Sequence, residues 1–281
     1  MRSPLLSIVI ANYNYGRFLE TAIRSVIDQD GFGRSELIVV DGGSTDNSVE
    51  VIKKHADKIS WWVSEKDKGQ SDAFNKGFAH ARGKYLTWLN ADDVLLPGAL
   101  RVIVDKMERY PNVEWFAGAT AYFADDGAIK TATVPLGNIV PRLFGIPAWM
   151  RVSGPSSFFS RDLFARAGGF DVGLRYVMDI DLWMRFTNLG TRLKVIDGYL
   201  WGFRLHEESK TSSSLTTGSI NEKFAKERTE IRRRNGVNRA EEASQFFCKR
   251  FCGVISFGYL KRLCFMKNHK SAQVGTNSES T

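Results

Sequence analysis

Cysteine is scarce in this 281-residue chain: the three residues, Cys248, Cys252 and Cys264, all lie near the C-terminus. They offer no disulfide framework and no metal-type Cys-x-x-Cys pair, so a reducing compartment is the default expectation. An excess of one charge is also missing from most of the chain. The formal net charge is +8, yet residues 221–281 hold 13 Lys and Arg against 6 Asp and Glu, leaving 26 against 25 for residues 1–220. The basic character belongs to the tail, and the body gives no reason to expect a nucleic-acid partner. Residues 1–11 lack a small-residue cleavage site before Asn12, Tyr13 and Asn14, and read as a first strand rather than a signal peptide. What is present, with 43% hydrophobic residues, is ordinary for one large α/β domain with additions or for two small domains.

Apolar runs at residues 6–10, 36–40 and 59–63 are short enough for buried parallel strands. Between them, Phe18, Ala22, Ile23, Val26 and Ile27 recur at helical spacing, and Asn47 with Glu50 predicts a capping box for a helix through Val51, Ile52 and Ala56. Residues 72–81 place Ala73, Phe74, Gly77, Phe78 and Ala81 on one helical face. Strands alternating with helices imply parallel pairing and right-handed crossovers. A helix follows Pro97, residues 113–134 resemble a hairpin turning at Asp125-Asp-Gly127, and residues 135–155 show no clear period and suggest a loop over the site. Residues 179–186 form an amphipathic segment, and strands near 193–196 and 199–206 close the globular part.

The run Tyr85, Leu86, Trp88, Leu89 suits a buried strand that ends in Asn90, Asp92 and Asp93. Hard oxygen ligands at the carboxyl edge of a sheet suit Mg²⁺ or Mn²⁺ bridging a diphosphate, although a solvated turn would show the same residues. Four strands ending in Asn or Asp put Asn12, Asp41, Asp67 and Asp92 on one sheet edge, which favours the ligand site.

Taken together, Ser7-Ile-Val-Ile-Ala-Asn-Tyr-Asn14, Val40-Asp-Gly-Gly-Ser-Thr-Asp46, Glu65-Lys-Asp-Lys-Gly-Gln-Ser-Asp72 with Asn75 and Lys76, Trp88-Leu-Asn-Ala-Asp-Asp93, Gly168-Gly-Phe-Asp171, Met178-Asp-Ile-Asp-Leu-Trp-Met184 and Phe203-Arg-Leu-His206 resemble the family 2 glycosyltransferases in content and order. The resemblance spans roughly residues 5–210. It implies the GT-A fold, a mostly parallel nucleotide-binding sheet flanked by helices, here with a C-terminal helical extension, and an inverting enzyme with a nucleotide-sugar donor. By position, Asn12, Asp41 and Asp67 match residues that hold nucleobase and ribose, while Asp72, Asn75 and Lys76 match the segment lining the sugar-diphosphate region. Asn90-Ala91-Asp92 stands where the family usually has Asp-x-Asp, so Asp92 is the implied Mn²⁺ or Mg²⁺ ligand, Asn90 a donor contact and Asp93 a supporting residue. Asp179 matches the general base, with Asp181 as its rival, and Met178 replaces the acidic neighbour the family often carries. His206 matches a third contact to metal or diphosphate, and Arg204 and Lys210 match residues that neutralise phosphate charge. Trp149 and Trp183 are candidates to stack on a sugar, Trp183 being better explained as core.

The implied organisation is a glycosyltransferase domain over 1–215 (nucleotide-sugar half 1–110, acceptor half 111–215), a basic amphipathic extension over 216–267 and a disordered tail over 268–281. Residues 246–266 mix Phe, Tyr and Leu with Lys249, Arg250, Lys261 and Arg262, and their uncharged centre falls far short of the ~20 residues of a spanning helix. Such a segment fits either an anionic membrane surface or a packed protein face. The membrane reading favours a glycan or lipid-linked acceptor and a cytoplasmic enzyme peripheral to the inner face of the membrane. Two competing functions have specific gaps: a sugar nucleotidyltransferase would carry a Gly-rich, Arg/Lys-bearing loop where Ala11-Asn-Tyr-Asn-Tyr-Gly16 stands, and a non-catalytic nucleotide-sugar-binding adaptor would not need Asp92 and Asp179.

Overall fold

The computed structural model describes residues 3–135, 147–152, 156–209 and 222–255. Much of the predicted loop over 135–155, together with Lys210, the start of the extension and residues 256–281, lies outside the described residues.

The first half alternates as the hydrophobic pattern requires. Strands β1 (Leu6–Asn12), β2 (Ser35–Asp41), β3 (Ile59–Ser64) and β4 (Tyr85–Asn90) are separated by helices α1 (Gly16–Ile27), α2 (Ser48–Lys54) and α3 (Gln70–Ala79). The four strands are mutually parallel, and β1 lies between β2 and β4. Because β1 and β2 are covered on both faces, Ile8, Val9, Ile10 and residues 37–40 are fully buried, which explains runs of Val and Ile without polar alternation.

The second half adds β5 (Val94–Leu95), α4 (Ala99–Arg109), β6 (Trp115–Ala124), β7 (Ile129–Thr133), β8 (Ser157–Ser160), α5 (Arg161–Arg166), α6 (Met178–Asn188) and β9 (Leu193–Leu205). They extend one sheet in the order β3-β2-β1-β4-β8-β6-β9-β5, with β7 paired to β6. Phe78 packs edge-on to Phe164 at 4.9 Å and Trp88 to Phe170 at 5.3 Å, so an aromatic cluster joins α3, β4, α5 and the Gly168-Gly169-Phe170 turn. Two further helices, α7 (Glu222–Arg234) and α8 (Arg239–Ile255), follow.

Three local expectations change. The two predicted strands near 193–206 are one 13-residue strand, whose register against β6 shifts between Val195 and Tyr199, where Gly198 adopts φ 140°. Helix α2 ends at Lys54, short of Ala56. The Asn47 side chain makes no capping bond; Asp46 takes that place, accepting from Ser48 N at 3.0 Å and, through its other oxygen, from Gly16 N at 2.9 Å. One carboxylate thereby serves the starts of both α1 and α2, where free N–H groups favour negative charge.

The topology fixes where a ligand belongs. From β1 the chain moves outward to β2 and β3, then returns across β1 to β4, so the strand order reverses between β1 and β4. Open α/β sheets bind ligands outside the carboxyl ends of the strands at such a reversal. Register puts Asn12 opposite Asp41 and Ala11 opposite Asn90 at this edge.

Candidate active site

At the ends of β1 and β2, Asn12 Nδ2 donates to Asp41 Oδ1 at 2.7 Å and to Ser44 Oγ at 3.2 Å. Asp41 is fully buried and accepts from Ser44 N at 2.9 Å, Gly43 N at 3.2 Å, Ser64 Oγ at 2.6 Å and the Ser44 hydroxyl. Burial pushes its carboxyl up, but the bonds from Ser44, Ser64 and Asn12 outweigh that and hold it below the ordinary range. Both oxygens are thus engaged, and Asp41 acts through the groups it holds. Asn12 Oδ1 is buried with no partner among the described residues, an acceptor left open at the carboxyl end of β1.

Asp67 follows β3. Its Oδ1 accepts from Gly69 N at 2.7 Å, and its Oδ2 lies 2.7 Å from where a Cβ on Gly42 would stand. Only glycine at 42 leaves that carboxylate its place. Tyr13, 61% exposed, has its ring edge 3.3 Å from the same point. Gly69 adopts φ 115° to open α3, and the next turn is tied by Asp72 accepting from Lys68 N at 3.0 Å. Asn75 is committed elsewhere: its amide donates to Phe170 O at 2.8 Å and accepts from Phe170 N at 3.0 Å. Lys76 donates to Glu65 at 2.9 Å.

In the acidic turn after β4, Gln70 Nε2 donates to Asn90 Oδ1 at 2.6 Å, and Asn90 Nδ2 to Asp93 Oδ2 at 2.8 Å. Asp93 is buried and accepts from Arg204 N at 3.0 Å. Burial, then the neighbouring Asp92 charge, drives its carboxyl well above the ordinary range. Arg204 Nε donates to Asp92 O at 2.9 Å while its guanidinium stacks 4.9 Å from Phe18 and 4.7 Å from Phe123. Arg204 is therefore buried beside the turn, clamping it to β9.

One residue pair completes this corner: His206 Nε2 lies 3.0 Å from Asp92 Oδ2 across 114 residues of sequence. The imidazole is buried, 5.0 Å from the Phe18 ring and edge-on to Tyr15 at 5.7 Å, and its Nδ1 has no protein partner. The contact is a hydrogen bond here, and a carboxylate oxygen beside an imidazole nitrogen is a donor pair that would hold Mn²⁺ or Mg²⁺ together with phosphate oxygens. Among the described residues no group of three or more His, Cys, Asp or Glu is placed to hold a metal ion.

Asp179 opens α6 on the other side of α3. Ser71 Oγ lies 3.0 Å from both Leu174 O and Met178 Sδ, while the preceding residue, Gln70, holds Asn90. Consecutive residues of α3 thus tether the acidic turn and the start of α6. Asp179 is half-buried; burial raises its carboxyl to about 6, opposed by the bond it accepts from Ile180 N at 2.8 Å. Its rival Asp181 is buried and ion-paired with Arg185 at 2.7 Å, which also donates to Gly169 O at 2.8 Å. That makes Asp181 a strut for the Gly168-Gly169 turn. Trp149 and Trp183 both belong to the core.

Ser44, Ser64, Gln70 and Tyr13 were not singled out by the sequence reading. The serines and Gln70 carry no local signal, because their partners lie 3 to 23 residues away. Tyr13, inside Asn12-Tyr-Asn14, was open to notice as an aromatic between two amides.

A curled, mostly parallel sheet flanked by helices, with an acidic turn after β4, is the GT-A glycosyltransferase fold. Structures with this fold include Staphylococcus aureus TarS in complex with UDP-GlcNAc (TM-score 0.63, 16% identity, 96% of this chain and 76% of that one) and the Pyrobaculum calidifontis mannosyltransferase PcManGT in complex with GDP-Man and Mn²⁺ (TM-score 0.56, 15% identity, 95% and 81%). The sequence matches Glycosyl transferase family 2 over residues 7–166, more than half its length, and the chain belongs to that family. An uncharacterized glycosyltransferase of Nostoc sp. is 44% identical over 104 residues, 36% of this chain and 32% of that protein. One from Rickettsia typhi is 26% identical over 224 residues, 76% of this chain and 68% of that protein. The matches thus reach from about a third to about two thirds of the length of these relatives.

Proposed function

We propose that the chain transfers a sugar from a nucleotide-sugar donor to an acceptor hydroxyl with inversion at the anomeric carbon. The observation supporting this reading is that consecutive residues of α3 hold both parts: Gln70 bonds Asn90 in the turn that carries Asp92, itself paired with His206, and Ser71 contacts Leu174 and Met178 beside Asp179. Asn12, Asp67 and Tyr13 receive the nucleoside, with Asp41 holding Asn12 in place. Asp72 lines the sugar-diphosphate side, and Asn75 shapes it by fixing the Gly168-Gly169-Phe170 turn. Asn90 and Arg204 hold the acidic turn so that Asp92 and His206 face the diphosphate. A bound Mn²⁺ or Mg²⁺ would neutralise charge on the departing nucleoside diphosphate. Asp179, ionised above about pH 6, takes the acceptor hydroxyl proton as that oxygen forms the new bond to the anomeric carbon and the bond to the diphosphate breaks. A base whose affinity for protons is raised toward neutrality is better matched to this transfer than an ordinary carboxylate.

The test is incubation with a panel of nucleotide sugars that includes UDP-GlcNAc and GDP-mannose, following nucleoside diphosphate release and the anomeric configuration of the product by NMR. Transfer with inversion that is lost in Asp179→Asn supports the reading; retention of configuration, or a wild-type rate in the variant, overturns it.

The acceptor side of the proposal is a glycan or lipid-linked acceptor met at an anionic membrane surface on the cytoplasmic side. Among the described residues no helix is long and apolar enough to cross a membrane. Support comes from α8, which exposes Phe247 at 77% and Phe246 at 43% beside Arg228, 5.7 Å from the Phe246 ring. Co-sedimentation with anionic liposomes that is unchanged by deleting residues 240–281 would reject it.

A further inference from the structure

Helix α7 lies beyond the span matched by the family, yet it reaches the segment that delivers Asp179. Phe224, Glu227, Ile231 and Arg234 recur at three- and four-residue spacing and so share one face. Phe224 packs on the main core and Ile231 is fully buried in it, which docks this face on the domain. Between these anchors, Glu227 accepts from Arg175 N at 3.1 and 3.2 Å and from Tyr176 N at 2.8 Å. Arg234 reaches Asp171 at 2.7 Å, and Asn235 Nδ2 lies 3.3 Å from Asp181 Oδ1.

The segment needs such support. Helix α6 begins after Val177, which provides no side-chain cap; upstream, Asp171 accepts from Gly173 N at 2.8 Å, and the acceptor for the amides of residues 175 and 176 comes from Glu227. On the inner side Ser71 holds Leu174 and Met178; on the outer side the two amides at 175 and 176 would otherwise face solvent without a fixed acceptor. We propose that Glu227 is a positioning residue for the reaction: by gripping the Arg175 and Tyr176 amides from α7, it fixes the entry to α6 and hence the place of Asp179 relative to the acceptor hydroxyl. This rests on Asp179 being the general base. A 1 Å misplacement of a catalytic group costs up to ~10²-fold in rate, so a grip three residues upstream is well placed to matter.

Three variants of the full chain test it: Glu227→Ala, Glu227→Gln and Asp179→Asn. Oε2 alone accepts from both amides, at 3.2 and 2.8 Å, so a glutamine whose oxygen takes that place keeps both bonds. The expected result is faster amide hydrogen exchange across residues 171–180 in Glu227→Ala, with kcat for release of UDP or GDP from UDP-GlcNAc or GDP-mannose down about tenfold or more and donor KM within about twofold of wild type. Glu227→Gln should restore both exchange protection and kcat to near wild type. Unchanged exchange in Glu227→Ala, or an unchanged kcat where Asp179→Asn abolishes turnover, overturns the positioning role alone. A donor KM that rises as steeply as kcat falls, unrescued by glutamine, overturns it in favour of general loosening. Wild-type turnover in Asp179→Asn overturns the base assignment itself.

Discussion

Asp41→Asn changes a charge and almost no volume, so its effect isolates what the buried carboxylate contributes. Three donors converge on Oδ2, and two of them, Gly43 N at 3.2 Å and Ser44 N at 2.9 Å, are backbone groups that cannot turn away. The substituted amide must therefore keep its oxygen there and present NH₂ at the Oδ1 position. That is tolerable, because Asn12 can flip its unpartnered Oδ1 toward it and the Ser44 hydroxyl can rotate. The remaining loss is charge assistance. Hydrogen bonds to a charged group contribute ~1.5–3 kcal/mol against ~1 for neutral pairs, and part of the difference is offset because a neutral amide is cheaper to bury. A net destabilisation of about 2 kcal/mol at pH 7 follows, or roughly 4–8 °C in Tm for a domain of this size. The pH dependence has a definite sign. The folded carboxyl titrates below the ordinary aspartate value of 3.8, so its contribution is complete above that value and disappears as pH falls through the lowered one. Thermal melts by circular dichroism should show the gap between wild type and variant at pH 7 and its closure in acid. Equal melting at pH 7, or a gap that widens on acidification, would refute the network's role.

The kcat/KM of the wild type should rise as pH passes about 6 and level off above it, since Asp179 must be ionised to accept a proton; a limb centred near 3.8 would contradict the raised carboxyl. Gly77→Ala should lower the urea midpoint by the equivalent of ~1–2 kcal/mol, because the new Cβ would stand 2.3 Å from Val9 Cγ1 and the overpacking outweighs the ~1 kcal/mol that alanine contributes to a helix; an unchanged or raised midpoint would show that α3 shifts freely. Asp181→Ala removes the ion-pair partner of Arg185, which is part-exposed and keeps its bonds to the Ala167 and Gly169 carbonyls, and should cost about 1–3 kcal/mol in chemical denaturation, whereas a variant of unchanged stability lacking turnover would reassign Asp181 to the chemistry.

The parallel half of the fold was legible because β1, β2 and β4 are continuous apolar runs buried along nearly their whole length, and each ends in a polar residue at the same edge, as Asn12, Asp41 and Asn90 show. The Asp92–His206 contact was legible only through resemblance, since nothing local joins residues 114 positions apart. Chemical type alone left packing unread. The charge of Arg204 pointed to phosphate but gave no sign that its guanidinium packs on two aromatic rings and that its Nε donates to the Asp92 carbonyl. Asn47 looked like a cap, but Asp46 one residue earlier serves two helices at once, a demand that only the packing of α1 beside α2 creates. The docking of α7 was hidden for the opposite reason. Its Arg232, Arg233 and Arg234 dominate the composition, while the face that matters is set by Glu227 and Ile231.

The central claim is that Asp92, with His206, fixes the donor's diphosphate through a divalent ion while Asp179 performs a separate step. Calorimetric titration of UDP and GDP into wild type, Asp92→Ala and Asp179→Asn, each with and without Mn²⁺, tests it most directly. Metal-dependent binding that Asp92→Ala abolishes and Asp179→Asn keeps is the expected result. Equal affinity and equal Mn²⁺ dependence in Asp92→Ala and wild type would contradict it.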